Sequence, residues 1–394
     1  MPEVPVKLKK LLVILLLLSI SIFSCSACFA DDMVKIGGGG TGLLIYVNYQ
    51  DTLPDGRMIF SGGGGADFER QRARLLCVNP DGTVSWEYVD QDEKEFYKVV
   101  VLEDGNIAVR MKEKVVLFTP DGKNTGREVI PSGESVDNTQ VISRGLLKHY
   151  GEKNGFTEFI DWDGNFRFRT DGAFYATLTE DDGLVMTGRD PGVGASFADA
   201  IIMKIDWQGN LLWKKILPSM TEERGEATDI SDLDGCFRTS DGCYLAVHKQ
   251  HVKDYDHPND FHDWREYTAL IKFSADGEIL WEKQPETGRR FEDVAEYEGK
   301  YCVSYYSGLD IPGNSCYLWL DADGNELGTT VRSLNRQEIP GEWYGRLMRK
   351  MQMEMIPSKE GLWQNIQIIN ENLTSAGDNY IMSVQQMLVR VPEL

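Results

Sequence analysis

Ile201–Trp213 reads IIMKIDWQGNLLW, Leu270–Trp281 reads LIKFSADGEILW, and Arg74–Trp86 reads RLLCVNPDGTVSW. Each stretch is an apolar run, a polar turn containing Gly, and a second run that reaches Trp. Weaker copies occupy Val115–Gly126, Phe159–Phe168 and Tyr317–Gly328. Their turn glycines are Gly82, Gly122, Gly164, Gly209, Gly277 and Gly324, spaced 40, 42, 45, 68 and 47 residues apart. A second class of turn, polar-Asp/Glu-Gly before an apolar strand, alternates with the first. It occurs at Leu53–Phe60, Leu102–Val109, Thr179–Met186, Thr239–Val247, Tyr297–Val303 and Ser358–Ile366.

Asp-Gly occurs eleven times in the chain. The dipeptide supplies the positive φ that tight hairpin turns require, so many short antiparallel strands are expected. One turn of each class makes a unit of four strands. Four strands repeated every 40–50 residues predict an all-β fold, a β-propeller of about seven four-stranded blades. The units begin near residues 42, 95, 140, 173, 235, 291 and 344. The third is degenerate, with its first turn hard to find around Gly145, and the last lacks a clear second turn. A strand at Met33–Ile36 is placed to complete the last blade and close the ring, since an open ring leaves exposed edges. Helix is scarce; even Glu342–Gln352 reads as strand.

The first thirty residues read as a signal peptide: Lys7, Lys9 and Lys10, the apolar run Leu11–Phe23, and a cleavage site after Ala30. Ser26-Ala27-Cys28 is similar to the end of a lipobox, which makes Cys28 a lipidation candidate, although Cys25 stands where that pattern wants Leu or Val. Residues 31–394 then form a single propeller domain that is secreted, periplasmic or held at the cell surface. Contact with a membrane is expected only through a retained signal or a lipid anchor. The net charge of −21 repels phosphate backbones and argues against nucleic-acid binding. At 42% hydrophobic residues the chain is not disordered, and its single long apolar run excludes a polytopic membrane protein.

Five cysteines follow residue 30. Cys236 with Cys243, and Cys302 with Cys316, are the candidate disulfides, each pair flanking a turn or loop. Cys77, inside Leu75–Val78, reads as a buried free thiol.

The repeat with Trp86, Trp213 and Trp281, preceded by elements such as Ser240-Asp-Gly-Cys-Tyr-Leu245, resembles the Trp-bearing repeats of pyrroloquinoline-quinone-type propellers and of secreted bacterial propellers. The resemblance covers about residues 42–330 and implies a fold, with the three Trp as structural residues between blades. It also implies that the Asp-Gly turns share one face and that the loops of the opposite, upper face bind ligands. No quinone-site residue carries over. Asp161–Asn165 and Asp321–Asn325 lack the third acid and distal Glu of a calcium loop. Gly62–Gly65 has no strand–loop–helix context for phosphate.

The 68-residue spacing reflects an insertion in the fifth unit. His248, His251, His257 and His262, four of the chain's five histidines, fall there among Asp254, Asp256, Asp260 and Asp263. Imidazoles at this density are a candidate site for a divalent transition metal, with His248 and His251 on one side of a bent loop. No Ser-His-Asp spacing, nucleophile elbow or P-loop is present. The reading is therefore a monomeric binding or scaffold module, whose upper loops hold an extracellular protein, peptide or glycan. The alternative is a propeller enzyme on extracellular substrates: a glycan hydrolase or lyase, or a His-dependent transferase similar to aryl sulfotransferases.

Overall fold

Seven antiparallel sheets follow one another along the chain. The computed structural model describes residues 33–39, 46–64, 72–112, 114–129, 139–150, 156–171, 178–180, 183–189, 197–198, 200–217, 229–253, 264–286, 290–306, 314–333, 348–372 and 381–394. Blades 1 to 6 span residues 46–89, 98–129, 139–171, 178–216, 229–283 and 290–333. Blade 7 takes three strands from residues 348–390, and its fourth is Met33–Gly39, paired antiparallel with Ile381–Arg390. The chain thus closes on itself, which is why the last unit needs no second turn. The turn sought near Gly145 is present as Ser143-Arg144, between Thr139–Ile142 and Gly145–Tyr150. Blade 5 carries a fifth, two-residue strand, Phe197–Ala198, parallel to its first strand. No helix occurs among the described residues.

The third strands read as unbroken apolar runs because both of their faces are buried. Along Leu75–Val78, Leu75 and Cys77 pack into the seam with blade 2, while Leu76 and Val78 pack into the seam with blade 7. Tyr244 and Ala246 face blade 4, and Leu245 and Val247 face blade 6. The period-two alternation of a strand divides each sheet between two neighbours. The core is therefore seven apolar seams. Fourth strands face solvent on one side and alternate accordingly, as in Val84–Val89.

First strands touch first strands at six of the seven seams and form the inner wall of the ring. They are sheet edges, with N–H groups that no ladder satisfies. Side chains at their bulges meet this need. Asp51 Oδ2 accepts from Val101 N at 2.7 Å, Gln50 Oε1 accepts from Val99 N at 3.2 Å, and Asp293 Oδ2 accepts from Met355 N at 2.6 Å. Burial raises the Asp51 carboxyl above its ordinary range, against the pull of the Val101 and Thr52 N–H groups.

Candidate functional site

The two faces of the ring differ. On the lower face nine of the described hairpin turns share one construction, a Gly in left-handed conformation whose N–H returns to the residue three before it. Above them the strands differ in length. In blade 2 the first three strands have four residues each; in blade 5 they have ten each, and in blade 7 eleven, twelve and ten. At about 3.3 Å per residue, the strands of blades 5 and 7 are about 20 Å longer than those of blade 2. Because the lower turns are held in common, the extra length rises on the upper face. Two walls result, with blade 6 between them and a low rim over blade 2.

The predicted histidine cluster belongs to the blade 5 wall. His248 and His251 lie in the regular strand Tyr244–Lys253, not in a bent loop. This corrects the expectation of a bent loop around them. His248 is buried; its ladder partners Leu233 and Ala269 belong to the seam with blade 4. His257 and His262 lie outside the described residues, as do Cys28 and the rest of residues 1–30.

The disulfide expectation is also corrected. Cys236, Cys243, Cys302 and Cys316 are free thiols. Cys302 pairs with Trp319 and Cys316 with Tyr305, so the two are offset by three positions and face different seams. Cys236 packs into the seam with blade 4, while Cys243 lies in the turn, bonded to Thr239. Burial pushes the Cys236 thiol up to about 12 and Cys302 well above its ordinary value. Cys77 is a buried free thiol as well.

The three repeat tryptophans sit at the seams of the lower face. Each ring covers the turn Gly of the next blade: Trp86 on Gly122, Trp213 on Gly277, Trp281 on Gly324. Each Nε1–H donates to the carbonyl two residues before that Gly, namely Pro120 O at 3.0 Å, Ala275 O at 2.8 Å and Ala322 O at 3.2 Å. Phe168 takes the same seat on Gly209. Between blades 6 and 7, Gly328 stands where the ring residue would be, and the Leu394 side chain lies against it.

Beneath Trp281, Lys272 is 4% exposed and donates to Asp241 Oδ2 at 2.6 Å and to Ala322 O at 2.9 Å. Burial alone would raise the Asp241 carboxyl, but Lys272, Thr239 and the Cys243 N–H outweigh it and hold the group far below the carboxylate range. Burial opposes the Lys272 charge too, yet Asp241 and Tyr301 carry it up to about 12. The depressed carboxyl contributes stability that is present above its unfolded value near 3.8 and lost as pH falls through the folded one. The raised ammonium contributes stability that is complete below its unfolded value of 10.5 and lost as pH rises through about 12. Lys272→Met should therefore flatten the melting temperature–pH profile at both ends. Parallel profiles for variant and wild type would show that the pair does not hold this seam.

The seam between blades 2 and 3 has neither a ring nor a stand-in among the described residues: a Cβ built on Gly126, at the ring position of blade 2, meets nothing within 4 Å, and neither does one built on Gly164 in the facing turn. The cause is local. Val116 pairs with Glu128 and Phe118 with Asn124, so the fourth strand carries two extra residues, where the corresponding strand of blade 1 carries one. Thr125 Oγ1 donates to Leu117 O at 2.8 Å, and Gly126 is left-handed at φ 75°. A cavity of about 350 Å³ opens beside these turns, against Arg127 on one side and Asp161, Trp162 and Asp163 on the other. Leu102, Leu117 and Val129 contribute apolar surface and Trp162 a wall, with Glu103, Asp104, Asp161, Asp163, Arg127 and Arg144 around them. Trp162 is fixed by Nε1–H donation to Ser143 O at 2.8 Å. Arg144 lies 3.1 Å from Glu103 and over the Trp207 ring at 4.4 Å. Sequence reasoning missed this groove. Its signal was the Gly in place of Trp four residues after the turn Gly, visible in Val115–Gly126.

No protein-family model and no curated protein matches the chain. Among solved structures, a catalytically inactive virginiamycin B lyase from Staphylococcus aureus with quinupristin is 12% identical at a TM-score of 0.49. The match covers 91% of this chain and 99% of that one. The extracellular domain of a putative hybrid two component system from B. thetaiotaomicron is 10% identical at a TM-score of 0.48, over 92% of this chain and 40% of that one. These similarities assign no activity; the fold rests on the sheet pairing described above.

Proposed function

We propose that the protein is an extracytoplasmic binding module that holds a peptide or glycan chain across its upper face, between the walls of blades 5 and 7. The observation that carries this reading is the inequality of blade heights, which turns a flat ring end into a cleft that runs out over blade 2. Clefts of this kind give a polymer two sides to contact and an exit for its ends. The signal-peptide reading of residues 1–30 supports the address, and the seating of Trp86, Trp213 and Trp281 supports the pyrroloquinoline-quinone-like repeat type. The titratable groups described above, Asp51, Asp241 and Lys272, hold strand edges and a seam of the ring.

The test lowers one wall. Gln250 and Tyr267 are ladder partners, so an Asn-Gly turn can replace residues 251–266 and close the hairpin about 10 Å lower. Residues 31–394 and this variant are screened by interferometry against immobilised polysaccharides and peptides. One probe class is expected to bind, with at least a tenfold loss in the variant at unchanged melting temperature. Equal binding by both proteins would remove the blade 5 wall from the site. Conversion of the bound probe into smaller fragments would replace binding by catalysis.

A further inference from the structure

The seat between blades 2 and 3 has a floor, a wall and a turn Gly, and lacks only its ring. We propose that it receives the tryptophan of a lysine- or arginine-rich segment of another protein. This site lies on the face opposite the cleft above and stands independently of it.

Three observations specify the occupant. At four other seams the same position over the turn Gly is filled by an aromatic ring, Trp86, Phe168, Trp213 or Trp281. The shape conserved around the ring is therefore one made for a flat side chain. In three of these the ring is an indole whose N–H reaches the carbonyl two residues before the Gly. In blade 3 that carbonyl belongs to Trp162, which lines the groove. Finally, Leu102, Leu117 and Val129 offer the apolar surface that an aromatic anchor needs, at a volume near the lower limit of ligand pockets.

Charge selects the rest of the segment. Around the groove Glu103 pairs with Arg144 and Asp161 with Arg167, so the balance is Asp104 and Asp163 against Arg127, a net negative rim. The chain as a whole carries −21. Cationic residues beside the tryptophan are drawn in, and acidic ones are repelled.

The peptides Lys-Trp-Lys and Lys-Ala-Lys and the neutral probe N-acetyl-tryptophanamide test the proposal by titration calorimetry and saturation-transfer NMR. Lys-Trp-Lys should bind at least tenfold more tightly than Lys-Ala-Lys, and raised salt should weaken it. Gly164→Asn places a side chain in the open seat, and Asn is among the residues that tolerate the left-handed conformation. It should lower Lys-Trp-Lys affinity at least tenfold. Asp163→Lys changes only an exposed rim residue, so it keeps the test decisive if the first variant folds poorly. It should weaken Lys-Trp-Lys and leave N-acetyl-tryptophanamide unchanged. Equal binding of the Trp and Ala peptides, or wild-type affinity in both variants, would overturn the proposal. A concentration-dependent dimer dissolved by Gly164→Asn would overturn it in favour of a second copy of this chain.

Discussion

Gly277→Ala should destabilise the protein by about 3–6 kcal/mol, whereas Gly164→Ala should cost only about 1–2 kcal/mol. Both glycines occupy the same place in a turn, at φ +79° and +82°. An L side chain there costs about 1–2 kcal/mol for the left-handed backbone alone. At Gly164 nothing more is lost, since a Cβ meets open space. At Gly277 the Cβ falls 2.6 Å from the Trp213 ring, a distance that real contacts do not allow. The indole must then move, which adds about 1–3 kcal/mol of overpacking and about 1 kcal/mol for the bond to Ala275 O. Trp213→Ala should cost about 3 kcal/mol, at the low end for an aromatic because the ring is half-exposed. The double variant should cost little more than the worse single one, because both remove the same contact. Urea denaturation of the four proteins gives the comparison. Equal losses at Gly277 and Gly164 would mean that Trp213 does not rest on the turn.

Removal of the strand Met33–Gly39 should cost on the order of 3–6 kcal/mol, from about six ladder bonds at roughly 1 kcal/mol each. Six residue pairs join it to Ile381–Arg390. Total stabilities run to about 5–15 kcal/mol, so the truncated ring should be marginal or unfolded at 37 °C. A second penalty follows from geometry. Without its partner, the ten-residue strand Ile381–Arg390 becomes an unpaired edge, open to pairing with other chains. A protein beginning at residue 41 should therefore aggregate during purification and melt well below one beginning at residue 31. The strand added back as a separate peptide should restore solubility. A truncated ring that melts with the wild type would show that closure does not depend on this strand.

The repeat was legible because it is written in local chemistry. Gly82, Gly122, Gly164, Gly209, Gly277 and Gly324 all take positive φ, a requirement that any sequence forming such turns must meet. The apolar runs before them mark third strands, which are buried on both faces. The closing strand was legible too, since a last unit without a second turn needs a partner from elsewhere. What was misjudged depends on how far a strand runs and on register. His248 and His251 read as parts of a bent loop, yet both belong to the regular strand Tyr244–Lys253. Cys302 and Cys316 looked like a cross-strand pair, yet the ladder offsets them by three positions.

The sequence by itself determined the repeat of four-stranded units, most of the turns that join their strands and the strand that closes the ring. Those features follow from backbone conformations and burial patterns that each residue expresses within its own hairpin. Only the tertiary structure decided which seams are full and which is open. A seat is built from two blades, one offering a turn Gly and the next-lower blade a ring, so Gly164 and Gly126 acquire meaning only when their hairpins are packed together. The heights of the two walls are likewise a property of the assembled ring, because a strand is long or short only against a neighbour that shares its base.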